Sequence, residues 1–297
     1  MAVQLHVAHS TVVSGAGVIA GGPYYCAQDS LWSAYLNCRR PGATTPLPAN
    51  SLLRQEAERE AKAGRIDPTV GLAGARAWLF SGGKDSVVAA DVVEALRAFY
   101  ASYSVETVIV RNRVAGHAMP ALDAGNVDCG VTAPPFINDC DYDGAGELLK
   151  KLLGPLQPPV VKEGGRLVRF DQSPFAPDIK ALSMGDEGYV YIPAACEKGS
   201  CRVHVALHGC QQTLNDVGDQ FARLAGYNRW ADTNQLVVLY PQVVKRAGWA
   251  VGTWSFVWNP AGCWDWWGYT GPLYHTKEGP QVRALKAMID RLTSPRR

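Results

Sequence analysis

The sequence predicts an α/β fold, a mostly parallel sheet with helices on both faces, in a single domain over residues 1–297. Short apolar runs that end in Gly or Pro alternate along the chain with amphipathic stretches, as strands and crossover helices do in a parallel sheet. The 297 residues are 47% hydrophobic and 19% charged, a composition that can bury one large core. No internal repeat or low-complexity tract divides the chain.

The individual elements follow from this alternation. Apolar and β-branched runs bounded by turn residues predict strands at residues 12–23, 77–80, 106–110, 189–193, 203–207 and 236–241. Helices are predicted at the N-terminus and at residues 52–63, 87–100, 146–153, 217–234 and 281–292. Pro-rich coil is expected between the helix at 146–153 and the next strand.

Charge and hydropathy exclude two classes of partner. A net charge of +2 gives no basic field suited to nucleic acid, and no stretch is long and apolar enough to span a membrane. The residues after Met1 are too polar for the apolar segment of a signal peptide and resemble the middle of a helix. The sequence therefore predicts that the protein begins upstream of Met1.

The cysteines indicate an oxidising compartment. The 8 cysteines form three close pairs along the chain and one remaining pair: Cys26 with Cys38, Cys129 with Cys140, Cys196 with Cys201, and Cys210 with Cys263. An even count at short spacings favours disulfides, and hence secretion of the complete protein, over scattered reduced thiols. No C-x-x-C is present and no histidine stands beside a cysteine at ligand spacing, so no metal is predicted.

One segment points to a catalytic fold. Residues 203–210, Val-His-Val-Ala-Leu-His-Gly-Cys, are typical of the strand and oxyanion loop of an α/β-hydrolase. In that fold the nucleophile, the acid and the histidine follow the loop along the chain. Here the candidate acid Asp85 and the candidate base His117, each just after a predicted strand, precede it. No G-x-S-x-G occurs, so the order predicts a circularly permuted hydrolase whose nucleophile strand and elbow lie before Met1.

Five motifs extend this interpretation over nearly the whole chain. They are AGGPYYC at 20–26, FSGGKD at 80–85, AGHAMP at 115–120, LHGCQQ at 207–212 and NPAGCWDWW at 259–267. With these motifs the chain resembles the extracellular polyhydroxybutyrate (PHB) depolymerases, whose catalytic domain is a circularly permuted α/β-hydrolase. The resemblance implies that Asp85 is the triad acid, His117 the general base and the Cys210 backbone N–H one oxyanion donor. It also implies a Gly-x-Ser-x-Gly serine, followed by the second oxyanion donor, upstream of Met1.

The resemblance implies a function as well. It predicts a secreted serine esterase that cleaves polyhydroxybutyrate or short-chain hydroxyalkanoate oligomers through an acyl-enzyme and uses no cofactor. A chain without the serine is expected to be inactive alone. Other ester substrates, such as feruloyl esters, use the same apparatus, so the fold does not choose among them.

Other interpretations of the same residues stay open. Asp85 could cap the following helix, and His117 could be an ordinary surface-loop histidine. Residues 81–86, Ser-Gly-Gly-Lys-Asp-Ser, match the pyrophosphate-binding loop of ATP pyrophosphatases, which would make the protein an ATP-dependent adenylating enzyme. A non-enzymatic, hydrolase-like binding protein is a third class. His208 is expected to support loop geometry rather than act as a base, and Lys84 to be solvated.

Tryptophans are concentrated between the last predicted strand and the last predicted helix. The group comprises Trp254, Trp258, Trp264, Trp266 and Trp267. Some must belong to the core, and the others could form an apolar cleft or an adsorption surface for an uncharged polyester. We expect Trp264 and Trp267 to bind substrate. The sequence contains no separate polymer-binding domain, so adsorption is expected to depend on the catalytic domain.

Overall fold

The computed structural model describes residues 1–122, 125, 127–199, 201–249 and 256–294, with the side chains of residues 112 and 113 left out of the description. The strands are β1 Gly15–Ile19, β2 Arg76–Gly82, β3 Glu106–Arg113, β4 Met119–Ala121, β5 Ile137–Asp139, β6 Arg166–Asp171, β7 Glu187–Ile192, β8 Arg202–Val205, β9 Leu236–Tyr240, β10 Arg246–Trp249 and β11 Phe256–Asn259. The helices are α1 Ala2–Ala8, α2 Leu31–Leu36, α3 Asn50–Lys62, α4 Ala90–Ala101, α5 Gly144–Leu153, α6 Leu214–Val217, α7 Gln220–Leu224, α8 Tyr227–Asn234 and α9 Pro280–Thr293. Trp254 lies outside the described residues.

Two sheets form the centre of the molecule. The first is parallel, in the order β1-β2-β3, and the second has the order β6-β7-β9-β8. In the second sheet β8 and β9 are parallel, whereas β6 with β7 and β7 with β9 are antiparallel. The predicted α/β class is confirmed. Among the described strands, however, the expected mostly parallel sheet is divided into one parallel and one mixed sheet, and β4 with β5 and β10 with β11 form two further two-stranded sheets.

The core lies on both faces of β2. Ala77 and Leu79 point into one cluster together with Leu96 of α4. Trp78 and Phe80 point into a second cluster, which includes Leu148 of α5. Because successive side chains of a strand face opposite sides, this alternation means that helices cover the parallel sheet on both faces, as predicted.

Two predicted regions differ from the structure. The helix expected at 217–234 is divided into α6, α7 and α8, because Gly218 and Gly226 adopt positive φ of 61° and 90°. The segment expected to be coil between α5 and β7 contains β6, an antiparallel partner of β7. The side chains of β6 are exposed or half-buried, so the strand lacks the continuous apolar run that marks a buried one.

All four predicted cysteine pairs are bonded. The disulfides are Cys26–Cys38, Cys129–Cys140, Cys196–Cys201 and Cys210–Cys263. The first three close short loops, whereas Cys210–Cys263 spans 53 residues of sequence. Among the described residues, none of the helices is both long and apolar enough to cross a bilayer.

Candidate active site

The structure brings Asp85 and His117 together. Asp85 lies just beyond β2 and His117 in the loop between β3 and β4, and Nδ1 of His117 is 2.9 Å from Oδ2 of Asp85. The Asp85 side chain is only 2% exposed, whereas that of His117 is 31% exposed. A buried carboxylate bonded to Nδ1 holds the proton on that nitrogen and leaves Nε2 as the acceptor. The pair therefore has the arrangement of a general base and its orienting acid.

The second oxygen of Asp85 stabilises its own loop. Oδ1 accepts hydrogen bonds from the N–H groups of Val87 and Val88, at 2.8 and 2.9 Å. Burial raises the pKa of Asp85, but the bonds from His117 and from these two N–H groups outweigh it and hold the pKa below its usual value. Asp85 is thus ionised when it orients His117. Asp85 is not the N-cap of α4, which begins at Ala90 with Ala89 as its N-cap residue; its carboxylate binds the turn before that helix.

Glycines allow the Asp85 and His117 loops to approach each other. A Cβ on Gly82 would lie 2.4 Å from the carbonyl oxygen of Ala115, and a Cβ on Gly116 would lie 2.5 Å from that of Val131. The two loops are also bonded directly, since Lys84 N donates to Ala115 O at 2.9 Å. A larger residue at Gly82 would push the Asp85 and His117 loops apart, and one at Gly116 would displace the His117 loop from the neighbouring segment at Val131.

A third loop supports His117 from the other side. The backbone N–H of His117 donates to Oγ1 of Thr132 at 2.9 Å. Asn138, fully buried on β5, donates to the carbonyls of Cys129 and Val131 and so fixes the loop that carries Thr132. Nothing in the sequence marked Asn138 as part of the site, because its partners are backbone atoms.

The Cys210 N–H is oriented by its neighbours. Nδ1 of His208 donates to Gly209 O at 2.7 Å, and Gln212 N donates to the same oxygen at 3.3 Å. In a planar trans peptide the N–H points away from the C=O, so holding Gly209 O fixes the direction of the Cys210 N–H. No acceptor for that N–H is found among the described residues. It is available to bind an oxyanion.

His208 is a structural residue, as expected. It is 3% exposed, and its Nε2 accepts from Val243 N at 3.2 Å while Nδ1 donates to Gly209. Burial lowers the pKa of His208 to about 4, despite the raising effect of its bond to Gly209. The neutral ring has both nitrogens occupied and cannot serve as a base.

Two further contacts attach the oxyanion loop to the segment after β11. Gln211 N donates to Ala261 O at 2.7 Å, and the Cys210–Cys263 disulfide joins the same two segments. Asn259, fully buried, accepts from Cys263 N at 2.8 Å and donates to Cys263 O at 2.8 Å. The oxyanion loop is therefore held by bonds to the segment after β11 and is not free to move in solvent.

Trp264 and Trp267, predicted to bind substrate, are largely buried in the structure. Both are only 5% exposed: Trp264 packs in the main core, 5.8 Å from the His208 ring, and Trp267 lies in a small separate core. Large indole rings gain most from burial, which explains their place. Exposed aromatic side chains lie elsewhere. Trp32 and Tyr35 are exposed on α2, and Trp249, Phe256 and Trp258 of the β10–β11 hairpin are 66%, 53% and 47% exposed.

The loop at 81–86 does not have the form of a phosphate-binding loop. Two of its N–H groups are already bonded within the protein: Lys84 N donates to Ala115 O, and Asp85 N donates to Gly82 O. The N–H groups of Val87 and Val88, just after the loop, are bound to the Asp85 carboxylate, which would repel an anion. The geometry weighs against the ATP-dependent alternative.

One group of potential metal ligands occurs in the described part of the chain. Oxygens of Glu56 and Glu60 and a ring nitrogen of His275 lie within 4.8 Å of one another. Arg59 Nη2, however, is 2.6 Å from Glu56 and 2.9 Å from Glu60, and Arg65 also pairs with Glu60. Guanidinium groups already neutralise the carboxylates, so the cluster fits an ion-pair network better than a cation site.

No protein-family model matches the chain. Two curated proteins are similar over 99% of it. One is the poly(3-hydroxybutyrate) depolymerase of Delftia acidovorans, 42% identical, and the other is the polyhydroxybutyrate depolymerase of Talaromyces funiculosus, 34% identical. The chain spans 57% of the length of the Delftia protein and 86% of that of the Talaromyces protein.

Solved structures give the same relationship. The PHB depolymerase from Penicillium funiculosum superimposes with a TM-score of 0.80, and a serine-to-alanine variant of a PHB depolymerase complexed with an R3HB trimer superimposes with 0.79. Each is 30% identical to the chain, covers 96% of it and is itself covered over 89% of its length.

Proposed function

Because the chain belongs to the polyhydroxybutyrate depolymerase family, we propose that it is the catalytic part of a secreted serine esterase. Its substrates are the ester bonds of polyhydroxybutyrate or of short hydroxyalkanoate oligomers. The observation that carries the proposal is the 2.9 Å bond between buried Asp85 and half-exposed His117. An oligomer substrate is supported by the related depolymerase that is complexed with an R3HB trimer.

The reaction would be acyl transfer. Nε2 of His117 takes the proton from a serine hydroxyl as the oxygen attacks the ester carbonyl. Asp85 stabilises the resulting imidazolium through Nδ1, and its lowered pKa keeps it ionised for this role. His117 then protonates the leaving alkoxide and activates the water that hydrolyses the acyl-enzyme. No cofactor is needed for any step.

The Cys210 N–H would stabilise the tetrahedral intermediates. Its direction is fixed by the bonds that His208 and Gln212 make to Gly209 O, and no described group accepts from it. A donor that needs no reorganisation is worth about 3 kcal/mol or more of transition-state stabilisation. The N–H that follows the serine would be the second donor.

We propose that the serine lies on a strand between β1 and β8. Among the described strands, β1 pairs with β2 alone and β8 with β9 alone, so each has a row of backbone groups open to another strand. Val18 of β1 and Val205 of β8 also pack in the same core region. A strand there would join the two sheets and, with Asp85 and His117 preceding Cys210 in the chain, would make the fold a circularly permuted α/β-hydrolase.

The β10–β11 hairpin would adsorb the enzyme to the polymer. Trp249 and Phe256 are directly opposite in the pairing register, and Phe256 and Trp258 lie on one face of β11. Their rings contact each other, with centroids 5.6 Å apart for Trp249 and Phe256 and 6.4 Å apart for Phe256 and Trp258. A continuous exposed aromatic face suits a polyester without charges.

Secretion is supported by the four disulfides. Structural disulfides persist in oxidising compartments and are rare in the reducing cytosol. A water-insoluble polymer outside the cell would also require an exported enzyme.

Active-site labelling of the full-length protein tests the proposal. A fluorophosphonate should label one serine in a Gly-x-Ser-x-Gly peptide, and the same protein should hydrolyse p-nitrophenyl butyrate and hydroxybutyrate oligomers. His117→Gln should abolish both labelling and hydrolysis. His9→Gln is the control: this histidine does not bind Asp85, so both labelling and hydrolysis should remain. Absence of labelling and turnover in the folded wild-type protein would favour a non-enzymatic binding protein.

A further inference from the structure

Gln212 is a buried amide whose hydrogen bonds connect two parts of the site. Its side chain is 5% exposed. Oε1 accepts from Gly209 N at 2.6 Å, and Nε2 donates to Pro135 O at 2.8 Å and to Phe136 O at 3.1 Å. The side chain thus uses both amide hydrogens on one segment and its oxygen on another.

The first of these segments is the oxyanion loop. Gly209 directly precedes Cys210, and Gln212 holds both polar groups of Gly209: Oε1 binds its N–H, and the Gln212 backbone N–H binds its C=O. The chain can return over Gly209 in this way because Gln211 adopts a positive φ of 59°. Gln212 therefore fixes the peptide that carries the Cys210 N–H.

The second segment supports His117. Phe136 O, which accepts from Gln212, also accepts from Met119 N at 2.8 Å, two residues after His117. Thr132, in the same loop, accepts the His117 backbone N–H. A shift of this loop would therefore move the backbone at His117 and at Met119.

We propose that Gln212 is a positioning residue that sets the Cys210 N–H and the His117 ring in register with each other. The inference rests on the proposed esterase function. Gln212 is not expected to contact the substrate. It would affect catalysis through the Gly209–Cys210 peptide and through the loop of Pro135 and Phe136. The relative position of the Cys210 N–H and the His117 ring affects the transition state more than the bound substrate. The oxyanion forms and the proton is transferred only during the reaction.

Gln212→Met is the main test, carried out on the full-length protein. We expect kcat for p-nitrophenyl butyrate to fall at least about tenfold, with KM within about twofold of wild type. Binding of a boronic acid that forms a tetrahedral adduct should weaken by a factor similar to the loss in kcat/KM. Hydrogen exchange of the Gly209 amide should also accelerate.

Gln172 offers a matched control. It is fully buried and makes the same three kinds of bond: Oε1 accepts from Gln242 N at 2.9 Å, and Nε2 donates to Gly185 O and Gln242 O at 2.6 and 3.0 Å. None of these partners belongs to the oxyanion loop or to the loops that hold His117. Gln172→Met should lower the unfolding temperature as Gln212→Met does but keep kcat within about threefold of wild type.

Gln212→Glu tests the bridge even if the Met variant does not fold. The carboxylate has the same shape and can still accept from Gly209, but it cannot donate to Pro135 and Phe136 when ionised. We expect a loss of kcat here too. Wild-type kcat in either folded Gln212 variant, or an equal loss of kcat in Gln172→Met, would overturn the assignment while leaving the esterase proposal intact. No hydrolysis by the folded wild type would overturn both.

Discussion

Replacing Asp85 by asparagine or alanine should separate the two functions of its carboxylate. In Asp85→Asn the amide oxygen can still accept from the N–H groups of Val87 and Val88, as Oδ1 does now. The NH2 group then faces Nδ1 of His117, at the present distance of 2.9 Å. Nδ1 must become an acceptor, so the ring proton moves to Nε2, the atom that should receive the proton of serine.

The expected cost to catalysis is large and the cost to stability is small. The wrong tautomer lowers kcat about 10⁴-fold in a serine protease with the same substitution, equivalent to about 5 kcal/mol in the barrier. We expect kcat to fall about 10³- to 10⁴-fold in Asp85→Asn, with the free energy of unfolding lowered by about 1 kcal/mol through the loss of charge. Asp85→Ala also leaves the Val87 and Val88 N–H groups without their acceptor, which should destabilise the protein by about 2 kcal/mol.

The assay is kcat for p-nitrophenyl butyrate together with urea unfolding of the full-length protein. Asp171→Asn is the control: Asp171 is exposed and accepts from Ser173 N at 2.8 Å, so it has the loop-capping function alone. Its kcat should equal that of wild type. If Asp85→Asn kept more than a tenth of wild-type kcat, Asp85 could not be the residue that sets the tautomer of His117.

Three other perturbations test separate parts of the structure. Replacing Cys210 and Cys263 by serine should lower the free energy of unfolding by about 4 kcal/mol, the chain-entropy value for a bond spanning 53 residues. It should also lower kcat, because the oxyanion loop loses a covalent attachment. Urea unfolding and turnover of the same variant will show whether both effects occur. Trp249→Ser with Trp258→Ser should abolish binding to polyhydroxybutyrate film and leave hydrolysis of p-nitrophenyl butyrate unchanged, and full binding to film would contradict the adsorption surface. Burial lowers the pKa of His6 to about 4, below the unfolded value of about 6.5, so the unfolded state takes up a proton first as the pH falls. The free energy of unfolding should decline between pH 6.5 and pH 4, by up to about 3 kcal/mol from this group, and His6→Gln should remove that part of the pH dependence.

The sequence predicted the strands of the two central sheets that carry apolar runs, and it missed β4, β5, β6 and the β10–β11 pair. β4 and β5 are largely buried, but each has only three residues, too few to show a pattern. β2 is a continuous apolar run because both of its faces pack into cores, and its predicted position at 77–80 lies within Arg76–Gly82. β6 and the β10–β11 hairpin each leave one face in solvent, so their apolar residues are too few or too scattered to signal a strand. Apolar patterning therefore detects strands with a sustained apolar run and misses short strands and strands whose apolar residues are few.

The candidate site shows a similar limit. Asp85 and His117 could be predicted because parallel strands deliver their following loops to one edge of a sheet, so order along the chain implies proximity. Gln212 and Asn138 could not, because their partners are backbone groups, which lie 7 and 9 residues from Asn138 and, for the two carbonyls that Gln212 binds, 76 and 77 residues away. Every residue type offers such backbone groups, and only the folded chain determines which of them a buried amide meets.

The tryptophans show how burial and polymer binding can be separated within one aromatic-rich segment. Trp264 and Trp267 come after β11 in the chain and are buried in two hydrophobic cores. Trp249 and Trp258 lie on a two-stranded hairpin, which has too few strands to build a core of its own. Exposed aromatic area on such a hairpin lowers solubility, so its presence is best explained by a use for it. Attachment to a solid polyester is that use in our proposal, and it requires nothing of Asp85, His117 or Cys210. Substitutions on the hairpin should therefore change which physical form of the substrate is degraded, while the chemistry of ester cleavage stays the same.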